Sequence, residues 1–141
     1  MLIALLLASG TDIKKNEIPI WLFPLLSVLF IIYRFSYINW IYAIIGLIIG
    51  IVSYTIMALK FDGGGGDIIM MGSIGFILGP KILLHIACVS SICCLMYYIV
   101  KKTKTAPYAP FVTISYILCF IGGYCYGIYD YRILEIHYFL L

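Results

Sequence analysis

Charge is missing from most of this chain, and that limits its possible folds more than any other feature. Four stretches contain no Asp, Glu, Lys or Arg: Ile18–Tyr33, Phe35–Leu59, Ile82–Val100 and Thr105–Tyr129. A helix that crosses a bilayer needs about 17–25 mostly apolar residues, so each stretch can cross or nearly cross. Ile68–Pro80 is shorter. At about 1.5 Å per residue it rises roughly 20 Å, against a hydrocarbon core of about 30 Å, so it spans only if the preceding chain already lies below the surface. Met1–Thr11 is read as a first helix; no basic residue precedes it, as one would in a secretory signal. An isolated strand cannot satisfy its backbone in lipid, which leaves helices. The expectation is an all-α polytopic membrane protein: a single domain over 1–141, with about six transmembrane helices.

Composition agrees. Apolar residues make up 65% and charged residues 11% of the 141, where soluble domains carry about 25% charged. This excludes a soluble enzyme, a disordered chain and a nucleic-acid binder. The bilayer is the expected partner, and no nucleic acid is. The placement of the basic residues gives an orientation. With the amino terminus outside, inner loops hold Lys14, Lys15, Lys60, Lys101, Lys102 and Lys104, while the outer side holds Arg34, Lys81 and Arg132. Trp21, Tyr33, Tyr37, Trp40, Tyr97, Tyr98, Tyr108 and Tyr129 fall near predicted helix ends, where amphipathic rings settle.

An acid near the hydrocarbon is costly and therefore a functional candidate. Asp130 and Glu135 fall in a mixed tail, read as lying on the outer surface. Glu17 and Asp62 read as hydrated loop acids. Asp12 and Asp67 differ. Asp12 ends the first apolar run, ahead of two lysines. Its bland reading is an interfacial helix terminus. Asp67 follows Gly63, Gly64, Gly65 and Gly66 and opens an apolar run. Glycine permits irregular backbone, which membrane depth tolerates only where it is packed in protein or lines a wet cavity. There Asp67 would sit at a helix amino terminus, where the macrodipole favours a carboxylate; its bland reading is a flexible loop that caps a helix. The predicted topology puts Asp12 and Asp67 on the cytoplasmic side. Two carboxylates brought close cannot easily both ionise and come to share a proton. One can then act as a base on water while the other polarises a carbonyl.

Three motifs resemble those of one family. TDIKKNEIPIWL (residues 11–22) resembles the aspartate-plus-basic loop, then Ile-Pro, of type IV prepilin peptidases. FDGGGGDIIMMGSIGFILG (61–79) resembles their GxGD signature, and KTAPYAP (104–110) the proline-rich segment that opens their last conserved helix. The resemblance implies an intramembrane aspartic endopeptidase with six membrane helices. Such an enzyme cleaves the basic leader of prepilin-like or pseudopilin-like precursors, after a glycine, at the cytoplasmic face of the cell membrane. It places the catalytic aspartates on Asp12 and Asp67 and needs no cofactor or metal. Gly63 to Gly66 would shape the loop holding Asp67, and Pro107 and Pro110 the approach to the site. Glu17 and Asp62 are candidates to meet the basic leader. Three positions depart from the family pattern: Ile69 stands where many members have lysine, and Tyr108 and Ala109 where Phe and Gly are usual. The paired-cysteine cytoplasmic stretch of the longer members is absent, so the expectation is the short form, without N-methyl transfer.

Other chemistries fit less well. Cys88, Cys93, Cys94, Cys119 and Cys125 form no CxxC pair and read as packing residues. His85 and His137 stand apart in the sequence. The glycine run lacks the Lys-Ser or Lys-Thr of a phosphate loop. Gly46 and Gly50 form a small-xxx-small pattern that helix packing explains. A second functional class stays open: a small transporter or channel subunit with Asp12 and Asp67 on a proton or cation path. That class would be expected to show more polar groups at mid-depth and repeated halves. Neither the precursor nor the oligomeric state can be read from the sequence.

Overall fold

The computed structural model describes residues 1–15, 17–34, 40–61, 64–101 and 107–126. Asp62, Gly63, Asp130, Glu135 and His137 lie outside them. Every regular element among the described residues is helical: α1 (Leu2–Lys15), α2 (Leu22–Arg34), α3 (Trp40–Phe61), α4 (Gly65–Lys101) and α5 (Ala109–Tyr126). The all-α expectation holds. Five helices stand where six segments were expected, because Ile68–Pro80 and Ile82–Val100 belong to the one element α4.

That element is broken within. Gly79 has φ 82° and ψ 170°, a conformation outside the helix, and Pro80 follows it. Proline cannot supply the helical N–H, and glycine alone adopts such a φ without strain. The break turns the chain back on itself. Cys94 interacts electrostatically with Asp67, whereas a continuous helix would hold the two about 40 Å apart. The arms before and after Gly79 therefore run side by side, and the Cβ position of Gly75 on the first arm meets the Leu83 side chain of the second at 2.9 Å.

α4 is the centre of the bundle. It packs against α2, α3 and α5, and α1 packs on α5. Phe23 of α2, Met70, Met71 and Ile74 of the first arm, Ile86 of the second and Val112 of α5 are completely buried in one apolar cluster. The α3–α4 seam is close enough for backbone to touch backbone. A Cβ on Gly50 would lie 2.6 Å from the Met71 carbonyl oxygen, and one on Gly46 would overlap Gly75. The small-xxx-small pattern is thus a packing face, as expected.

The outside is as apolar as the core. Ile3, Leu7, Ile32, Ile41, Ile92 and Val100 are among many large hydrophobic side chains exposed around the bundle. Soluble monomers rarely expose apolar area on this scale. By length and composition α4 could cross a membrane, and Leu22–Ile32, Trp40–Ile56 and Ala109–Gly122 are shorter apolar helices.

α1 runs further than its apolar stretch. Nothing between Thr11 and Lys15 breaks a helix, and Lys14 and Lys15 in the last turn oppose the negative end of the dipole. Asp12 therefore lies inside a helix rather than beyond its end. The chain then passes through Ile18 and Pro19, and Pro19 closes a turn by accepting the Leu22 N–H at 3.2 Å.

Candidate active site

The buried residues of α1 are Ala4, Leu5, Ala8, Ser9 and Asp12. Steps of three and four residues place them on one stripe, so Asp12 continues the face that packs on α5. Its side chain is only 5% exposed. A carboxylate this buried needs a partner, and one comes from the other end of the chain. The Ala109 backbone N–H donates to Asp12 Oδ2 at 2.9 Å.

That donor is free for a structural reason. The first N–H groups of any helix lack intrahelical acceptors. In α5, Ala109 is the first residue, Pro110 has no N–H, and the Phe111 N–H reaches the Tyr108 carbonyl at 3.0 Å. Tyr108 occupies the capping position, and its side chain is no substitute for the Ser, Thr or Asp usual there. Asp12 supplies the cap from another helix and places its charge at the positive end of the α5 dipole. Below it, Ser9 Oγ and Thr113 Oγ1 are 2.6 Å apart, and Thr113 also donates to the Leu5 carbonyl at 3.1 Å. The α1–α5 contact is thus a polar seam that ends at Asp12.

Asp67 starts α4. Its N–H donates to the Gly64 carbonyl at 3.1 Å, closing the first turn. Gly64 and Gly65 are exposed, and Gly66 is half-buried. A Cβ on Gly66 would sit 2.9 Å from the Ile18 Cβ, so the α4 start lies against the segment joining α1 to α2. This is where glycine is needed for close approach. Asp67 is half-buried, and its Oδ1 is enclosed with no hydrogen-bond partner among the described residues. It lies within electrostatic reach of Asp12. The two acids singled out from the sequence thus share one region, at the end of α1 and the start of α4, beside the start of α5.

The other predicted positions divide. Pro107 and Pro110 flank Tyr108 and Ala109 and are half-buried, Pro110 in the first turn of α5, where a missing N–H costs nothing. Glu17 is exposed, as the hydrated-loop reading expects. Ile69 is half-buried and packs on the core. His85 is exposed, with Nδ1 2.8 Å from the Lys81 carbonyl oxygen of its own helix. Cys88, Cys93, Cys94 and Cys119 are free thiols. No group of three or more His, Cys, Asp and Glu among the described residues could hold a metal ion.

Sequence reading missed a cluster of hydroxyls. Tyr54 of α3 and Tyr108 join through their phenol oxygens, and Ser90 Oγ of α4 lies 2.7 Å from the Tyr108 oxygen. Tyr108, expected at the membrane border, points into the bundle instead. One signal was present: the four-residue step joining Gly46 to Gly50 next lands on Tyr54.

A model of the type IV leader peptidase family matches residues 1–99. That stretch includes Asp12, Asp67, Tyr54 and Ser90 and ends before α5. No curated protein and no solved structure matches the chain significantly.

Proposed function

The chain belongs to the type IV leader peptidase family, and we propose that it is an aspartic endopeptidase in which Asp12 and Asp67 hydrolyse the leader peptide bond of prepilin-like precursors. The observation that carries this reading is the convergence of two enclosed carboxylates from separate helices. Asp12 holds a backbone N–H, and Asp67 has an unpartnered buried oxygen within electrostatic reach of it.

The surroundings divide the labour. An N–H donated at a helix amino terminus favours an ionised carboxylate, so Asp12 is the base. An enclosed oxygen with no donor favours the protonated acid, so Asp67 is the acid. Water attacks the carbonyl carbon while Asp12 takes its proton. Asp67 donates to the carbonyl oxygen as charge builds there. The gem-diol then collapses: the C–N bond breaks, the proton held by Asp12 passes to the leaving amine, and a diol proton returns to Asp67 as the carboxylic acid forms, restoring both acids.

The apolar exterior supports a multi-pass position in the cell membrane. α3 has 22 residues, which rise about 33 Å and match a hydrocarbon core of about 30 Å. Lys14, Lys15 and Lys101 lie at helix ends on the side of the acids, the side expected to be cytoplasmic. The basic leader of a precursor would be presented there, with its apolar helix left in lipid.

The test uses the protein in lipid vesicles and a synthetic precursor: a lysine-rich leader ending in glycine, then an apolar helix. Mass measurement of the new amino terminus reads cleavage. Asp12→Asn and Asp67→Asn should each lower the rate at least about 10²-fold, the lower bound for losing a positioned acid or base. Cleavage retained by either variant refutes the dyad. Aspartate-dependent ion flux without leader release would favour the transporter reading instead.

A further inference from the structure

Three hydroxyl side chains from separate parts of the chain meet inside the bundle. Tyr54 is 7% exposed and Ser90 is fully buried. Buried hydroxyls are costly unless each donates and accepts. Ser90 Oγ donates to the Ala87 carbonyl of its own helix at 3.1 Å. With that proton so used, the Tyr108 hydroxyl can donate to Ser90 and the Tyr54 hydroxyl to Tyr108; in either direction the contacts join the three oxygens. The relay runs Tyr54 to Tyr108 to Ser90 to backbone, and it anchors the phenol of Tyr108 in α4.

Tyr108 is also the residue on which α5 begins. Its carbonyl accepts the Phe111 and Val112 N–H groups, and the next N–H in the chain, that of Ala109, is the donor to Asp12. Where the Tyr108 ring is held therefore decides where that N–H points. The rings of Tyr54 and Tyr108 also pack at 5.4 Å between centroids, and Tyr54 lies within electrostatic reach of Asp67. The network thus stands beside both acids, and among the described residues no hydrogen bond joins it to either.

We infer that Tyr54, Ser90 and Tyr108 are positioning residues, which lock the first turn of α5 so that the Ala109 N–H stays aimed at Asp12. The inference rests on the dyad reading and deepens it. Tyr108→Phe keeps the ring and its packing but removes the hydroxyl that binds Ser90. Tyr54→Phe and Ser90→Ala cut the relay on either side. All three residues act on one turn, so their losses do not add.

Two measurements test this in the full protein. The first is steady-state cleavage of the synthetic lysine-rich precursor. Tyr108→Phe and Ser90→Ala should lower kcat about 10-fold with KM changed less than about twofold, and Tyr54→Phe/Tyr108→Phe should lose no more than Tyr108→Phe alone. The second is amide hydrogen exchange, which needs no substrate. Exchange at Ala109 should rise about 10-fold in Tyr108→Phe and Ser90→Ala, while amides beyond Val112 keep their protection. Unchanged exchange at Ala109, or a loss expressed in KM alone, overturns the inference. Asp12→Asn in the same cleavage assay separates the two levels. If Asp12→Asn still cleaves, the dyad reading fails; if it is inactive while Tyr108→Phe matches wild type in both measurements, only the positioning role fails.

Discussion

Replacing Gly50 by alanine, with Gly10→Ala as its counterpart, tests whether the α3–α4 seam is as tight as the structure has it. Both glycines lie inside helices, where alanine is ordinarily favoured by about 1 kcal/mol. At Gly10 a Cβ would meet nothing within 4 Å, so Gly10→Ala should stabilise by about that amount. At Gly50 the same methyl would lie 2.6 Å from the Met71 carbonyl oxygen and 2.9 Å from the Gly72 Cα. Both obstructing atoms are backbone and cannot rotate away. To reach the 3.4 Å at which ordinary contact begins, α3 must retreat about 0.8 Å from α4. A gap of that size forfeits a quarter to a half of each dispersion well along the seam. In lipid that packing is the main force between helices. Overpacking costs about 1–3 kcal/mol, and the rigidity of the obstruction puts Gly50 in the upper half, about 2–3. With the helix-propensity gain returned, the net loss is about 1–2 kcal/mol. Denaturant titration in mixed micelles should therefore move the two variants in opposite directions, about 2–3 kcal/mol apart. A Gly50→Ala protein as stable as wild type would refute the close approach. So would a shift of equal sign and size in both variants.

Three further outcomes follow from the same contacts. Asp12→Asn keeps an oxygen to accept the Ala109 N–H and should stay within about 1 kcal/mol of wild-type stability, the dipole contribution of a charge. Asp12→Ala leaves that N–H unpaired and should cost about 1–3 kcal/mol; micelle unfolding compares the two. Gly79→Ala places a side chain at φ 82° and ψ 170° against the exposed Tyr42 ring. It should cost about 1–3 kcal/mol in backbone strain, and Tyr42→Ala in the same chain should leave most of that loss in place, since removing the ring does not relax φ. Thr113→Val removes the hydroxyl that ties Ser9 and Leu5 to α5, and should lower stability by about 1 kcal/mol in the same titration.

What could be read from the sequence depended on how local the signal was. Asp12 and Asp67 stand out because a charge beside a long apolar run is rare, and the four glycines before Asp67 mark backbone under special demand. The charge of Lys81 told the stretches on either side apart; the break itself, at Gly79 and Pro80, and the return of the second arm were not read from the sequence. The partner of Asp12 could not be seen. Ala109 is an ordinary residue 97 positions away, and it becomes a donor only because proline and tyrosine leave the start of α5 without a local cap. The hydroxyls of Tyr54, Ser90 and Tyr108 were hidden for a related reason. Within apolar helices such residues usually bond to their own backbone or settle at the border, and only the packing of separate parts of the chain makes them one network. The α1 boundary was misplaced because polarity was taken as the end of a helix. Thr11 to Lys15 are polar but good enough helix formers to continue it, and the lysines suit its carboxyl end.

The site is built from helix ends, and this bears on how an apolar bundle can hold charge. α1 ends just past Asp12, α4 begins beside Asp67, and α5 begins at the donor to Asp12. Helix termini are where backbone groups are left unpaired, so three termini at one place give polar donors and acceptors that the apolar side chains around them do not supply. The two acids are not served alike: Asp12 takes the α5 N–H on Oδ2, whereas Asp67 meets the Gly64 backbone and keeps Oδ1 enclosed without a partner among the described residues. If both aspartates were capped alike, both would favour the ionised form, and neither could donate to a carbonyl. The asymmetry lies in the backbone: the α5 amino terminus faces Asp12, while the α4 amino terminus uses the Asp67 N–H on Gly64 and leaves Oδ1 open. A further donor engineered beside Asp67 should therefore harm cleavage even with both carboxylates intact. Gly64→Ser offers the test, since the Cβ position there lies 3.8 Å from Asp67 Oδ2 and a hydroxyl on it can reach the carboxylate. The expected result is a fall in kcat, with Gly64→Ala much less affected because it adds bulk without a donor. Equal activity of the serine and alanine variants would argue against the division of roles between the two acids.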